Sequence, residues 1–344
     1  MLKDILAQVV SGQNLSQAAA QEAMNIIMSG QANEAQICAF LTALRMKGET
    51  SEEVTGFAET MRQYAVDINC DSPEMIDTCG TGGDRKGTFN ISTTVAFVLA
   101  GAGVTVAKHG NKGVSSSSGS ADVLMALGVN VNLPPAGVAK AIDELQIGFL
   151  YAPLYHQAMK YAAQPRKELG FRTVFNILGP LTNPAKASCQ LLGVYDAALT
   201  HKVAEALGGL GARRAMVVHS DDGLDEFSTA VPTHVSEVNN GIVNDYVIDP
   251  AEYGFRNCSI QDYHGGTPQD NAAITLAIFQ GQAGPKRDVV LLNAAAALMI
   301  AGKADSIPEG LELAAASIDS GAALGKLEAL RNFKYQTGEE LLLS

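Results

Sequence analysis

Along the first seventy residues apolar side chains recur at intervals of three and four. Leu2, Ile5, Leu6, Val9 and Val10 make one stripe. Ala20, Ala23, Met24 and Ile27 make a second, with Ser16 as its cap and Gly30 as its stop. Ile37, Phe40, Leu41 and Leu44 make a third, opened by Asn33 and closed by Arg45, Lys47 and Gly48. Val54, Phe57, Ala58 and Met61 make a fourth, with a capping box from Thr50 to Glu53. This period and these start and stop residues predict four amphipathic helices, a small N-terminal helical-bundle domain over residues 1–70. A bundle this short has little interior, so some of the stripes are candidates for a dimer face.

From residue 74 onward short apolar runs alternate with helical stretches. The strand candidates are Met75–Thr78, Val104–Lys108, Val129–Val131, Phe149–Tyr151, Gln190–Val194 and Ala215–His219, with helices such as Ser92–Ala100, Ala121–Leu127, Gly137–Leu145 and Leu199–Leu207 between them. That alternation predicts a larger α/β domain, residues 74–159 and 187–344, with a mostly parallel central sheet flanked by helices. Pro153, Pro165, Pro180 and Pro184 interrupt the rhythm over 152–186, and residues 160–186 are expected to pack back on the N-terminal helices. Residues 230–270, with turns at Asn239-Asn240-Gly241 and His264-Gly265-Gly266, read as an edge excursion of the sheet. Val290–Ala301 reads as a buried small-residue helix and Leu311–Phe333 as one amphipathic helix.

Composition narrows the function classes. A net charge of −12 over 344 residues argues against nucleic acid or an anionic membrane as partner. Asp4, Gln8 and Gln13 interrupt any signal-peptide core, and no apolar run is long enough to span a bilayer. The five cysteines, Cys38, Cys70, Cys79, Cys189 and Cys258, lack metal spacing and read as free thiols of a cytoplasmic protein. Cys79 reads as a small filler at a strand end.

The chemistry concentrates in four places. Asp77-Thr78-Cys79-Gly80-Thr81-Gly82-Gly83-Asp84 is a glycine-rich turn between a strand and a helix start, with Asn90 or Ser92 as the cap. It matches neither the Walker spacing nor G-x-G-x-x-G, but glycines and free helix N–H groups make an anion site. A second loop, Lys108-His109-Gly110-Asn111-Lys112-Gly113-Val114 followed by a serine run to Ser120, supplies lysines and hydroxyls from the next strand. Asp225 and Glu226, in an acidic turn, can share one or two hard cations, although such a turn is more often a solvated loop. Arg166, Lys167 and Arg172 can receive a carboxylate or be ordinary surface charge. In an acidic protein a phosphate site must make its own positive potential, and these residues are where it is found.

Gly80-Thr81-Gly82-Gly83-Asp84, Asn90-Ile91-Ser92-Thr93, Lys108-His109-Gly110-Asn111, Asn176 to Pro184 and Asp225-Glu226 resemble the anthranilate phosphoribosyltransferase family of tryptophan synthesis. The resemblance covers nearly the whole chain, in order. It implies the fold of the nucleoside phosphorylase-like phosphoribosyltransferases and a homodimer through the helical domains. It implies that Gly80, Gly83, Asp84, Thr88, Asn90, Ile91, Ser92, Thr93, the loop Lys108, His109, Gly110, Asn111, Lys112, Gly113, Val114, Ser115, Ser116, and Ser120 bind 5-phosphoribosyl 1-diphosphate. Ser92, Asp225 and Glu226 would hold magnesium, two ions per subunit, and Gly80, Asn111 and Arg166 would contact anthranilate with His109 near its ring. Lys112 stands where many members have arginine, and Ser117 where many have lysine, which implies altered donor affinity without loss of activity.

The reaction so implied is attack of the anthranilate amine on C1 of the ribose as diphosphate leaves. No strong general base is evident, so positioning and charge stabilisation carry the expected catalysis. A pyrimidine nucleoside phosphorylase shares the architecture but has no use for Asp225 and Glu226. A non-catalytic, nucleic-acid-binding paralogue needs a basic face that this charge balance disfavours.

Overall fold

The computed structural model describes residues 2–72, 74–113, 118–256 and 258–335. The four N-terminal stripes form helices α1 (Leu2–Val10), α2 (Gln17–Met28), α3 (Glu34–Lys47) and α4 (Ser51–Tyr64). Their starts follow the capping chemistry: Ser16 accepts from Ala19 N–H, and Asn33 and Thr50 each close a reciprocal capping box, with Gln36 and Glu53. Phe40 and Phe57 meet edge to face, 6.0 Å apart, at the centre of the bundle.

The sheet comprises β1 (Ile76–Gly80), β2 (Val106–Gly110), β3 (Ile147–Tyr151), β4 (Cys189–Gly193), β5 (Arg214–Ser220), β6 (Thr233–Asn239) and β7 (Ile242–Ile248). Its order is β3-β2-β1-β4-β5-β6-β7. The first five strands in that order run parallel, and β6 and β7 close the edge as an antiparallel hairpin. The hairpin turns at Asn240 and Gly241, both at positive φ (49° and 83°), which suits the twist of the flanking strands.

The helices of this part are α5 (Ile91–Gly101), α6 (Ser120–Ala126), α7 (Pro135–Leu145), α8 (Ala152–Tyr155), α9 (Lys160–Leu169), α10 (Phe175–Leu178), α11 (Thr200–Gly209), α12 (Pro268–Phe279), α13 (Pro285–Ile300), α14 (Ile307–Asp319) and α15 (Ala322–Asn332). Strand alternation separates two cores. Ile76, Leu191, Met216 and Val218 face α5, α13, α14 and α15. Leu192, Val194, Ala215 and Val217 face the other way and merge with the core of α1–α4, to which α9 and α10 also contribute Ala162, Phe175 and Leu178. The helical bundle thus has no closed interior of its own: its core continues onto the sheet.

Two expectations need correction. Val129–Val131 is not a strand; it is a turn leading to α7, whose apolar residues fill the core without pairing. Leu311–Phe333 is two helices, because Gly321 adopts a left-handed φ of 78° between α14 and α15. The five cysteines are free thiols. No helix among the described residues is long and apolar enough to cross a membrane.

Candidate active site

Parallel pairing brings the carboxyl ends of β2, β1, β4 and β5 to one edge of the sheet. Gly80 is in register with Gly193, and Gly193 with Val218. The glycine turn after β1 and the acidic turn after β5 therefore converge although 143 residues separate Gly82 from Asp225. Gly82 N–H donates to Asp225 Oδ2 at 3.0 Å. A Cβ on Gly80 would lie 2.7 Å from the same oxygen, and one on Gly193 would collide with the Asp225 carbonyl. Glycine is required at both positions so that the acidic turn can seat against the strand ends.

Three carboxylates meet there. Burial, with Asp84 facing it, pushes Asp225 up to about 7, while the Gly82 N–H opposes the shift. Burial and the Asp225 charge push Glu226 up to about 8, against the pull of Lys108 and a hydrogen bond with Ser92. Asp84 Oδ1 accepts from Lys86 N–H at 3.2 Å, and its buried Oδ2 has no partner among the described residues. Such crowding of like charge is favourable only with a proton or a cation among the oxygens. Among the described residues no three acidic, histidine or cysteine side chains form a closed metal cage. Few carboxylates beside a hydroxyl suit a magnesium ion whose remaining positions go to water and phosphate.

Lys108 is the cation of this cluster. It is 3% exposed and donates to the Thr78 carbonyl and, at 3.4 Å, to Ser92 Oγ. Burial lowers its pKa, and Asp77, Cys79 and Glu226 oppose that shift. Asp77 lies beneath it, fully buried. One oxygen accepts His109 N–H at 3.1 Å and the other Asn183 Nδ2 at 2.7 Å. Asn183 also donates to the Ala107 carbonyl at 2.8 Å and accepts from Ala185 N–H, so it clamps β1 and β2 to the segment before β4. Burial raises the Asp77 pKa while Lys108 pulls it down. Burial and the Asp77 charge raise Cys79 well above its ordinary range, which keeps it an inert thiol.

The loop after β2 is held at both ends by one side chain. Asp122 accepts from Gly113 N–H at 2.8 Å and from Gly119 N–H at 2.9 Å. Asn111 Oδ1 accepts from Lys112 N–H, and its carbonyl takes Ser120 Oγ at 3.2 Å and Ala121 N–H. Val114, Ser115, Ser116 and Ser117 lie outside the described residues. Asn90 occupies the N-cap of α5 without capping it. Its side chain instead bonds Ser118 Oγ at 3.1 Å and Asn271 Nδ2 at 2.9 Å, tying α5, the second loop and α12 together. Ile91 turns its side chain into the core, Thr93 Oγ1 is buried without a partner among the described residues, and Thr88 pairs as an isolated bridge with His264.

The His109 and His156 rings meet at a tilt of 57° with centroids 5.1 Å apart, each with a buried Nε2 that has no partner among the described residues. Burial pushes His156 down to about 4 and His109 well below its ordinary range, so both are neutral imidazoles. Arg166 stacks on Phe175 at 5.3 Å and makes no ion pair among the described residues. Among the described residues no side-chain hydrogen bond links it to the glycine loops. Arg172 makes that connection: it lies 3.9 Å from the Tyr195 ring centroid and donates to the Gly83 carbonyl.

Asp77, Asn183, His156, Asp122 and Asn271 were not singled out from the sequence. Asp77 and Asn183 lie inside the motifs at Asp77–Asp84 and Asn176–Pro184, the one signal that could have found them.

Two family models match the chain, the glycosyl transferase family helical bundle domain over residues 3–65 and the glycosyl transferase family a/b domain over 72–324. Fold and site thus define a glycosyl transferase made of a helical bundle and an α/β part. The anthranilate phosphoribosyltransferase of Moorella thermoacetica is 57% identical over 330 residues, 96% of this chain and 97% of the relative. That of Symbiobacterium thermophilum is 52% identical over 98% of this chain and 99% of the relative. The structure matches the Thermus thermophilus anthranilate phosphoribosyltransferase with a TM-score of 0.91 at 41% identity, covering 96% of this chain and 99% of that one. It matches the Saccharomyces cerevisiae enzyme in complex with 5-phosphoribosyl 1-diphosphate and magnesium with a TM-score of 0.87 at 29% identity, covering 96% of each chain. The chain belongs to the anthranilate phosphoribosyltransferase family.

Proposed function

We propose that the protein transfers the phosphoribosyl group of 5-phosphoribosyl 1-diphosphate to the amine of anthranilate, giving N-(5-phosphoribosyl)anthranilate and diphosphate. One observation carries this reading: Asp84, Asp225, Glu226, Ser92 and Lys108 form one cluster between two glycine loops at the carboxyl ends of parallel strands. The orphaned Asp84 Oδ2 and the mutually repelling Asp225 and Glu226 fit magnesium, with Ser92, Asp225 and Glu226 as its protein ligands and two ions per subunit. Magnesium, when bound, neutralises the departing diphosphate.

In this reading the chain's residues mainly position. The N–H groups of the Gly80–Asp84 turn and of Asn90–Thr93, with Thr88, receive the donor's phosphates, together with the Lys108–Ser116 loop and Ser120. Lys108 is too committed to Thr78 and Ser92 to move, so it acts as a fixed positive potential beneath the site. Gly80, Asn111 and Arg166 contact anthranilate, and the neutral His109 faces its ring. An arylamine held in line needs little activation, so orientation and exclusion of water provide most of the rate. Val10 and Met46, 69% and 84% exposed at the ends of α1 and α3, support a homodimer through the helical part. The free thiols suit a cytoplasmic location.

The test is loss of anthranilate fluorescence with donor and magnesium, followed beside diphosphate release. Matched signals, abolished by a chelator and reduced at least about a hundredfold by Arg166→Ala, are expected. A folded protein with neither signal would refute the reading.

A further inference from the structure

The turn after β1 carries a side chain where the backbone disfavours one. Arg85 has φ of 60°, in the left-handed region, amid Gly82, Gly83 and Gly87 at 64°, 76° and 66°. A residue with a Cβ is strained in that conformation, and such strain persists where the surroundings or the function require it. The turn is fixed on each side. Arg172 holds the Gly83 carbonyl, Asp84 Oδ1 receives Lys86 N–H, and Gly265 N–H donates to the Gly87 carbonyl. Residues 84–87 therefore form a short strap between anchored ends.

The strap carries two adjacent cations. Neither Arg85, which is exposed, nor Lys86 makes an ion pair among the described residues. Lys86 Nζ lies 2.7 Å from where a Cβ on Gly223 would be, at the mouth of the acidic turn that ends in Asp225 and Glu226. The strap thus starts at Asp84, which faces Asp225, and carries Lys86 alongside the acidic turn. Lys108 is already bonded to Thr78 and Ser92, and the clustered Asp84, Asp225 and Glu226 repel an incoming polyanion. The cluster needs positive charge, and besides Lys108 and Arg172 this turn itself supplies Arg85 and Lys86.

We propose that Arg85 and Lys86 form a diphosphate-capturing pair at the mouth of the site, which sets the affinity for the donor's diphosphate and the retention of free diphosphate after transfer. The inference rests on the phosphoribosyl-transfer reading and adds residues that the motif resemblance does not include. Because the pair touches the leaving group and not the acceptor, its effects fall on one substrate only.

The experiment compares the parent with Arg85→Gly, Lys86→Ala, Lys86→Arg and the double variant Arg85→Gly/Lys86→Ala. Each removed charge is expected to raise the donor KM about two- to fivefold, and the double variant about tenfold. The inhibition constant of diphosphate rises in parallel, the dependence of donor KM on ionic strength flattens, and the anthranilate KM stays constant. Lys86→Arg keeps the parent's values. Arg85→Gly raises the thermal midpoint, because glycine relieves the left-handed strain, so weaker donor binding in that variant is not a folding defect. Titration of magnesium diphosphate into the parent and the double variant reads the pair without turnover. A parent that binds magnesium diphosphate but does not transfer refutes the reaction and leaves the capture site standing on its titration. A double variant within about twofold of the parent in donor KM and diphosphate affinity overturns the proposal, whatever the parent's activity.

Discussion

Asp77→Asn replaces one acceptor oxygen with an NH2 donor at a fully buried polar position of the site. The carboxylate accepts His109 N–H at 3.1 Å and Asn183 Nδ2 at 2.7 Å, and it stands beneath the buried Lys108. An asparagine can turn its carbonyl toward only one of the two donors, so its NH2 group faces a donor in either orientation. Losing a hydrogen bond to a charged acceptor costs about 1.5–3 kcal/mol. Removing one partner of a buried ion pair costs about 3–5 kcal/mol. Lys108 keeps its bonds to Thr78 and Ser92, and the two figures describe the same lost negative charge, so the lower end of the second applies: about 3 kcal/mol in all. That is a large share of the roughly 5–15 kcal/mol that holds a typical domain together.

The functional cost is separate. His109 N–H is the point at which the second glycine loop is pinned to β1, and a shift of about 1 Å there is expected to lower kcat/KM by about a hundredfold. Urea unfolding, followed by far-ultraviolet circular dichroism and extrapolated to water, measures the first quantity; initial rates with both substrates measure the second. The double variant Asp77→Asn/Asn183→Asp exchanges donor and acceptor and keeps one buried negative charge, but it loses the bond to the Ala107 carbonyl and sets a carboxylate oxygen against that carbonyl. It is expected to recover about half of the stability lost, a coupling of about 1–2 kcal/mol, within the range of contacting polar pairs. A single variant that loses less than about 1 kcal/mol would mean that Asp77 is already neutral and the asparagine isosteric. Strict additivity in the double variant would refute the pairing with Asn183.

Glu53 is fully buried and takes Leu15 N–H, Thr50 N–H and Lys47 Nζ, each at 2.8 Å. Glu53→Ala should cost about 3–5 kcal/mol in urea unfolding without changing either KM by more than about twofold, and a loss below about 1 kcal/mol would contradict this reasoning. Arg172→Ala frees the Gly83 carbonyl and should raise the donor KM severalfold; Arg172→Lys should not rescue it, because a point charge cannot both stack on Tyr195 and reach the loop. His156 sits at about 4 against an unfolded value near 6.5, so the unfolded chain binds the extra proton first as pH falls. Its contribution is intact above pH 6.5 and is lost at about 1.4 kcal/mol per pH unit between 6.5 and 4; His156→Gln should flatten the stability profile there, and an unchanged slope would show the ring is not buried neutral.

What the sequence determined by itself was everything governed by local chemistry. The capped stripes of α1 to α4, the strand-turn-helix units at Gly80–Asp84 and Lys108–Asn111, and the hairpin turn at Asn240-Gly241 are written in residues within one or two turns of each other. The site motifs were legible for the same reason: a phosphate cradle needs glycines and helix N–H groups contiguous in the chain. Short-range pattern also misled. The alternating Val129-Asn130-Val131 has the pattern of a strand but pairs with no neighbour, and the stripe over Leu311–Phe333 hid a break at Gly321.

Tertiary structure decided which of these local pieces meet. The order β1-β4-β5 places Asp225 against Gly82, and only that contact turns a solvated-looking acidic turn into a crowded carboxylate cluster. Asp77 finds Asn183 across 106 residues, and Arg172 finds Gly83 across 89. No period or spacing encodes those partners, because a hydrogen bond or a Coulomb interaction depends on distance in space, and strand order sets that distance only after the whole sheet has formed.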